Sequence, residues 1–239
     1  MTDKPHHPLN VKGEERAFFG RRSGKRLHKG QDRLFKDLLP QVSIGFKYEM
    51  DPVAPLVPFA NPTAPLELEI GYGGGEHLAR MAVANPGTNY FGAEVFSGGI
   101  AKLLQKIDED GLTNIRVYSF DAIVLLRDLP DASLHGAYLL YPDPWPKTRH
   151  HKRRFISPTT LRELARVLKP GAVFRVATDI EDYATWTLAH VLRARQFRFA
   201  PGAPGEWHTP FVGWEPTRYE DKARAEGRLR SFYMSFTRL

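Results

Sequence analysis

The sequence contains no cysteine. Disulfide frameworks and thiolate metal sites are therefore excluded, and a reducing cytoplasm suits such a chain. It holds no run approaching the roughly 18 apolar residues that a membrane helix requires, so no membrane association is expected. The N-terminal stretch MTDKPHHPLNVKGEE has no apolar core, and no secretory leader is expected. Internal repeats and low-complexity tracts are missing as well. What the 239 residues do offer is 42% hydrophobic and 26% charged side chains, enough to build one large α/β domain.

The formal net charge of +7 is unevenly placed. Ten Lys/Arg stand against four Asp/Glu between Met1 and Lys36, so nearly all of the excess lies in that segment. Residues 1–36 read as a basic, flexible arm, and residues 37–239 as a single domain. A second basic run, Lys147 to Arg154, holds five Lys/Arg and no acid. Clustered cations suit a phosphate-rich partner, because each neutralised phosphate releases counterions. A solvated basic surface is the competing explanation when charge is considered alone.

Residues 37–63 carry Pro40, Pro52, Pro55, Pro58 and Pro62, which predicts extended, irregular chain. Beyond Pro65 the pattern alternates. Strands are expected at Leu66–Gly71, Asn89–Val95, Asn114–Phe120, His135–Pro142 and Ala172–Asp179. Helices are expected at Glu76–Ala84, Ile100–Glu109, up to Leu126, at Ser157–Leu168 and at Glu181–Arg193. Two further strands, Phe197–Ala200 and Ser231–Leu239, close the chain. Pro216 to Arg228 shows neither helical nor strand amphipathicity and reads as a polar connection. Alternation of this kind predicts a Rossmann-like, doubly wound, mostly parallel seven-stranded sheet with an antiparallel C-terminal strand.

The strongest local signal is LELEIGYGGGEHL, a strand running into a glycine turn. Gly71 and Gly73 let the backbone turn sharply and approach a ligand closely. A dinucleotide fingerprint would place its third glycine where Glu76 stands, and a carboxylate there opposes a pyrophosphate. A ligand with a cationic, phosphate-free end suits the turn better, as S-adenosylmethionine would. Glu94 closes the second strand, where an acid can accept hydrogen bonds from ribose hydroxyls. Asp121 follows the third strand and is suited either to an adenine amino group or to capping the next helix. Asp143 lies just past the fourth strand, between Pro142 and Pro144, on the ligand side of an open α/β sheet. Trp145 offers a flat face for a base, and Lys147, Arg149, Lys152, Arg153 and Arg154 offer charges for phosphates. His150 and His151 are adjacent, a poor spacing for one metal ion, and no metal is expected. Thr178 and Asp179 end the fifth strand near the same crevice, with helix capping a rival role for Thr178. Arg218, Tyr219 and Glu220 either line a substrate pocket or belong to a plain surface connection.

Together LELEIGYGGGEHL, Glu94, Asp121, YPDPWPKTRHHKRRF, the TD of TDIEDY and TRYE resemble the bacterial tRNA (guanine-N7-)-methyltransferase family, from about Phe35 to Leu239. The proline-tryptophan-lysine loop is the most specific element. The resemblance implies an S-adenosylmethionine-dependent enzyme acting on a guanine in the tRNA variable loop. It implies cofactor contacts from Glu69, Glu94 and Asp121, with Asp143 as the catalytic acid residue where cofactor and guanine meet. Lys147, Asp179, Thr217, Arg218, Tyr219 and Glu220 would bind the substrate. The family commonly shows Lys-Phe where this chain has Arg218-Tyr219. Rival readings are a methyltransferase of protein or small molecules, a non-catalytic RNA-binding module and a nicotinamide dehydrogenase. The basic runs disfavour the first, the intact carboxylate set the second and the glycine spacing the third. No protein partner is implied.

Overall fold

In the computed structural model, residues 24, 27–44, 58–201, 203, 205–228 and 230–239 are described. Most of the basic arm and much of the proline-rich segment lie outside these residues. The rest forms a seven-stranded sheet ordered β3-β2-β1-β4-β5-β7-β6. Its strands are β1 (Leu66–Ile70), β2 (Asn89–Ala93), β3 (Ile115–Tyr118), β4 (Leu134–Leu140), β5 (Leu168–Thr178), β6 (Phe197–Phe199) and β7 (Phe232–Arg238). The first five run parallel, whereas β7 is antiparallel to both β5 and β6. The expected sheet is therefore the one formed.

Eight α-helices accompany it among the described residues: α1 (Lys29–Asp37), α2 (Leu39–Val42), α3 (Glu76–Ala84), α4 (Ser97–Asp110), α5 (Ala122–Asp128), α6 (Pro158–Val167), α7 (Glu181–Ala194) and α8 (Arg218–Ala225). Local chemistry sets several ends. Ser157 and Thr160 form a capping box at α6, with Pro158 in the first turn. Asp121 accepts from the Ile123 amide at 3.1 Å and starts α5. Gly111, at φ 61°, ends α4.

Strands β2 and β3 are buried on both faces, whereas β5 alternates between buried and half-buried residues. Leu68, Phe91, Ala137 and Phe174 pack against α5, α6 and α7, while Tyr90, Ile115 and Val117 meet α3 and α4. β2 is buried along its whole length, as a central parallel strand should be.

Residue 36, the expected end of the arm, lies in α1, which buries Leu34 and bonds to α4 through Gln31 Nε2 and Gln105 Oε1 at 3.2 Å. A difference from expectation is α8, in a segment that reads as a polar connection. Its mean composition is too polar for an apolar stripe, but Thr217 and Glu220 form a capping box that defines its start. β5 also begins at Leu168, directly after α6, with a register irregularity opposite Leu134 and Gly136.

Candidate active site

The strand order reverses between β1 and β4, where α/β sheets bind ligands at the carboxyl ends of strands. A cleft of about 380 Å³ opens there. Gly71, Gly73, Glu94, Asp121, Asp143, Trp145, Arg153 and Tyr219 all line it, although they come from five separate stretches of chain.

The turn after β1 is built by backbone constraint. Gly71, Gly73 and Gly75 have φ values of 68°, 57° and 73°. A Cβ on Gly99 of α4 would stand 2.2 Å from the Gly73 carbonyl oxygen, so helix and turn touch backbone to backbone. Glu94 fastens the turn to the end of β2. Its Oε2 accepts from the Gly73 amide at 2.9 Å, and its Oε1 accepts from Val95 and Phe96 at 2.8 and 2.9 Å. Burial raises the Glu94 pKa; the three backbone donors oppose that shift, and the nearby Asp143 carboxylate adds to it. Glu69 does not line the cleft. It is 3% exposed, and its Oε2 lies 2.7 Å from His77 Nδ1, behind the turn.

The Pro-Asp-Pro-Trp-Pro loop follows β4. Tyr141 and Trp145 adopt φ values of 48° and 44°, rare for bulky residues and characteristic of functional sites. Asp143 is accessible within the cleft, where the surrounding protein displaces part of its hydration and raises its pKa. The Arg153 guanidinium lies 4.8 Å from the Trp145 ring centroid, and His150 meets that ring edge-on at 5.9 Å. The basic run forms a 3-10 segment, Thr148–Arg153, on which Arg149 and Lys152 are exposed outside the cleft, as is Lys147 just before it.

Arg154, expected among the phosphate contacts, is turned inward and 1% exposed. Its Nε donates to the Pro144 carbonyl at 2.9 Å, and its guanidinium pairs with Asp182 and lies over Trp186 at 5.0 Å. Thr217 and Glu220 are also inward, held by their capping box, and Glu220 accepts from Trp214 Nε1 at 2.9 Å and from the Tyr233 hydroxyl. Tyr219 is the member of that segment that reaches the cleft, with its ring against Gly73, while Arg218 is exposed beside it. Asp179 pairs with Arg228 outside the cleft, and Thr178 Oγ1 caps the Ile180 amide at 3.2 Å.

Sequence reasoning missed the apolar walls: Phe96, Phe120, Tyr141 and Phe155. Their signal was aromatic residues flanking the strand ends, next to the carboxylates that did stand out. Among the described residues, no group of three or more His, Asp or Glu side chains is arranged to hold a metal ion.

Comparison with known proteins fits this arrangement. The family described as "Putative methyltransferase" matches residues 63–231. The tRNA (guanine-N(7)-)-methyltransferase of Brucella anthropi is 46% identical over 238 residues, covering 100% of both chains. Its counterpart from Azorhizobium caulinodans is 45% identical, over 93% of this chain and 95% of its own. Among solved structures, the 16S rRNA methyltransferase KamB shares the fold with a TM-score of 0.53 at 20% identity, over 73% of this chain and 87% of that one. The capped glycine turn and the aspartate-tryptophan loop thus sit on a methyltransferase fold, and the chain belongs to the tRNA (guanine-N(7)-)-methyltransferase family.

Proposed function

We propose that this protein transfers a methyl group from S-adenosylmethionine to N7 of a guanine in tRNA. The observation that carries the reading is the convergence of the glycine turn, Glu94, Asp121, Asp143 and Trp145 on one cleft. The lining chemistry fits the donor. Three carboxylates and one arginine face the cleft, a balance that favours hydroxyl, amine and sulfonium groups over phosphates. A Cβ at Gly71 would meet nothing within 4 Å, so the backbone is open to a ligand there. Glu94 and Asp121 would hold the nucleoside end between Phe96 and Phe120, while Gly71 and Gly73 leave room for the amino-acid end. Glu69 would act through the turn that it supports. When bound, the cofactor supplies an electrophilic methyl group on a sulfonium.

Guanine N7 carries a lone pair and no proton, so attack requires no strong general base. The protein's tasks are orientation and electrostatics. Ionised Asp143 would orient the guanine edge and stabilise positive charge developing on the ring. Trp145 and Tyr219 border the space where the purine would lie. Lys147, Arg149 and Lys152, together with the basic arm, would contact phosphates, with Arg218 and Asp179 near the substrate strand. The Arg154, Thr217 and Glu220 side chains would position these groups from behind. A tRNA substrate implies work in the cytoplasm.

The test is label transfer. With methyl-labelled cofactor and unmodified tRNA, label should enter material that survives protease and is lost to ribonuclease. Label confined to protein, or to small molecules, would replace this reading with another methyltransferase activity.

A further inference from the structure

A second cavity, of about 440 Å³, lies over β4, β5 and β7. Strand register puts Tyr138, Arg175 and Ser235 side by side on its floor. Trp207, Phe211 and Trp214 form its outer wall, with the last two rings 5.6 Å apart and nearly perpendicular. Such walls alone are ordinary aromatic packing. Arg175 is what packing does not explain.

Arg175 is a half-buried cation in the middle of a sheet. It sits 5.4 Å from the Tyr138 ring centroid, and its Nη1 donates a long bond of 3.4 Å to the Tyr138 hydroxyl. Among the described residues no carboxylate pairs with it. The acids around it are engaged elsewhere: Glu67 accepts from the Tyr138 hydroxyl at 3.1 Å, Glu206 from the Ala203 amide at 3.1 Å, and Glu69 is paired with His77. A guanidinium with donors to spare, at the base of an aromatic cavity, recognises a planar group carrying an anion.

We propose that this cavity is a second ligand site, which takes a nucleoside monophosphate with its base among the aromatic rings and its phosphate on Arg175. The nucleotide is either free or part of an RNA strand. The site is joined to the cofactor cleft through α8: Tyr219 lines the cleft, while Glu220 bonds Trp214 and Tyr233 of the cavity wall.

The experiment is calorimetric titration of the full chain with GMP, its cofactor cleft already filled with saturating S-adenosylhomocysteine. Wild type should bind GMP. Arg175→Gln should weaken binding about tenfold or more, the expected loss of a charge-assisted phosphate contact. Ser235→Trp, which fills the cavity from an exposed position, should abolish binding. Retained affinity for S-adenosylhomocysteine shows that a variant is folded. If Arg175→Gln fails that check, Ser235→Trp carries the test. No GMP binding by wild type, or binding unchanged in the folded variants, overturns the proposal. Titration with tRNA separates the sources: affinity reduced by Arg175→Gln assigns the nucleotide to the RNA, and unchanged affinity assigns a free nucleotide.

Discussion

Arg154 donates from Nε to the Pro144 carbonyl at 2.9 Å, which ties the end of the basic segment to the loop bearing Asp143 and Trp145. The same side chain is fully buried and paired with Asp182 at the start of α7. A basic residue within a basic run thus serves the loop's shape. Arg154→Ala should cost about 1–3 kcal/mol in urea denaturation, because it removes a buried side chain and leaves the Pro144 carbonyl without its donor, while the exposed Asp182 is rehydrated. Lys152→Ala should leave stability unchanged and reduce the salt dependence of tRNA binding by about one phosphate's worth. The reverse pattern would show that Arg154 points outward.

Asp143→Asn should lower turnover by about 10²–10³-fold at saturating tRNA and cofactor, the range for removing one electrostatic stabiliser. Affinity for tRNA, which phosphate contacts dominate, should change little.

The pH dependence follows from the raised Asp143 pKa. In the proposed reaction Asp143 acts ionised, so turnover should fall as pH drops through a value above the ordinary aspartate figure of about 3.9. Stability runs the other way. A carboxyl whose pKa is higher folded than unfolded penalises the fold above the raised pKa, and the penalty vanishes below the unfolded value. Asp143→Asn should therefore melt at or above the wild-type temperature at neutral pH, while losing the acid limb of the rate profile.

Gly99→Ala tests the contact between α4 and the glycine turn. The added Cβ falls 2.2 Å from a backbone oxygen, so the turn must shift, at a cost of about 1–3 kcal/mol. Calorimetry should show weaker cofactor binding with tRNA affinity preserved. Unchanged cofactor affinity would mean that the turn does not hold the donor.

Deleting residues 1–23 should weaken tRNA binding with a smaller effect on saturated turnover, because phosphate contacts position without reacting. Gel-shift titration and single-turnover rates separate the two. A large loss of turnover at unchanged affinity would assign the arm a role in the reaction itself.

The alternation of strands and helices was legible because parallel strands buried on both faces need continuous apolar runs, and AYLL of β4 supplies one. Glu94, Asp121 and Asp143 were legible for a different reason: each follows a strand end, and those ends meet at the switch point. α8 was not read because its start is set by the Thr217–Glu220 capping box and its docking by single buried side chains, neither of which makes an apolar period. The inward turn of Arg154 was equally hidden. Its partners Pro144 and Asp182 lie 10 and 28 residues away, and charge patterning alone assigns an arginine among lysines to solvent.

The most direct test of the central claim is to map the methylated base. Unmodified tRNA incubated with the wild-type protein and S-adenosylmethionine should gain a single new break under cleavage chemistry selective for 7-methylguanosine, and Asp143→Asn should produce that break only slowly. A methyl group found on another atom or base, or a variant as fast as wild type, would contradict the assignment of this cleft.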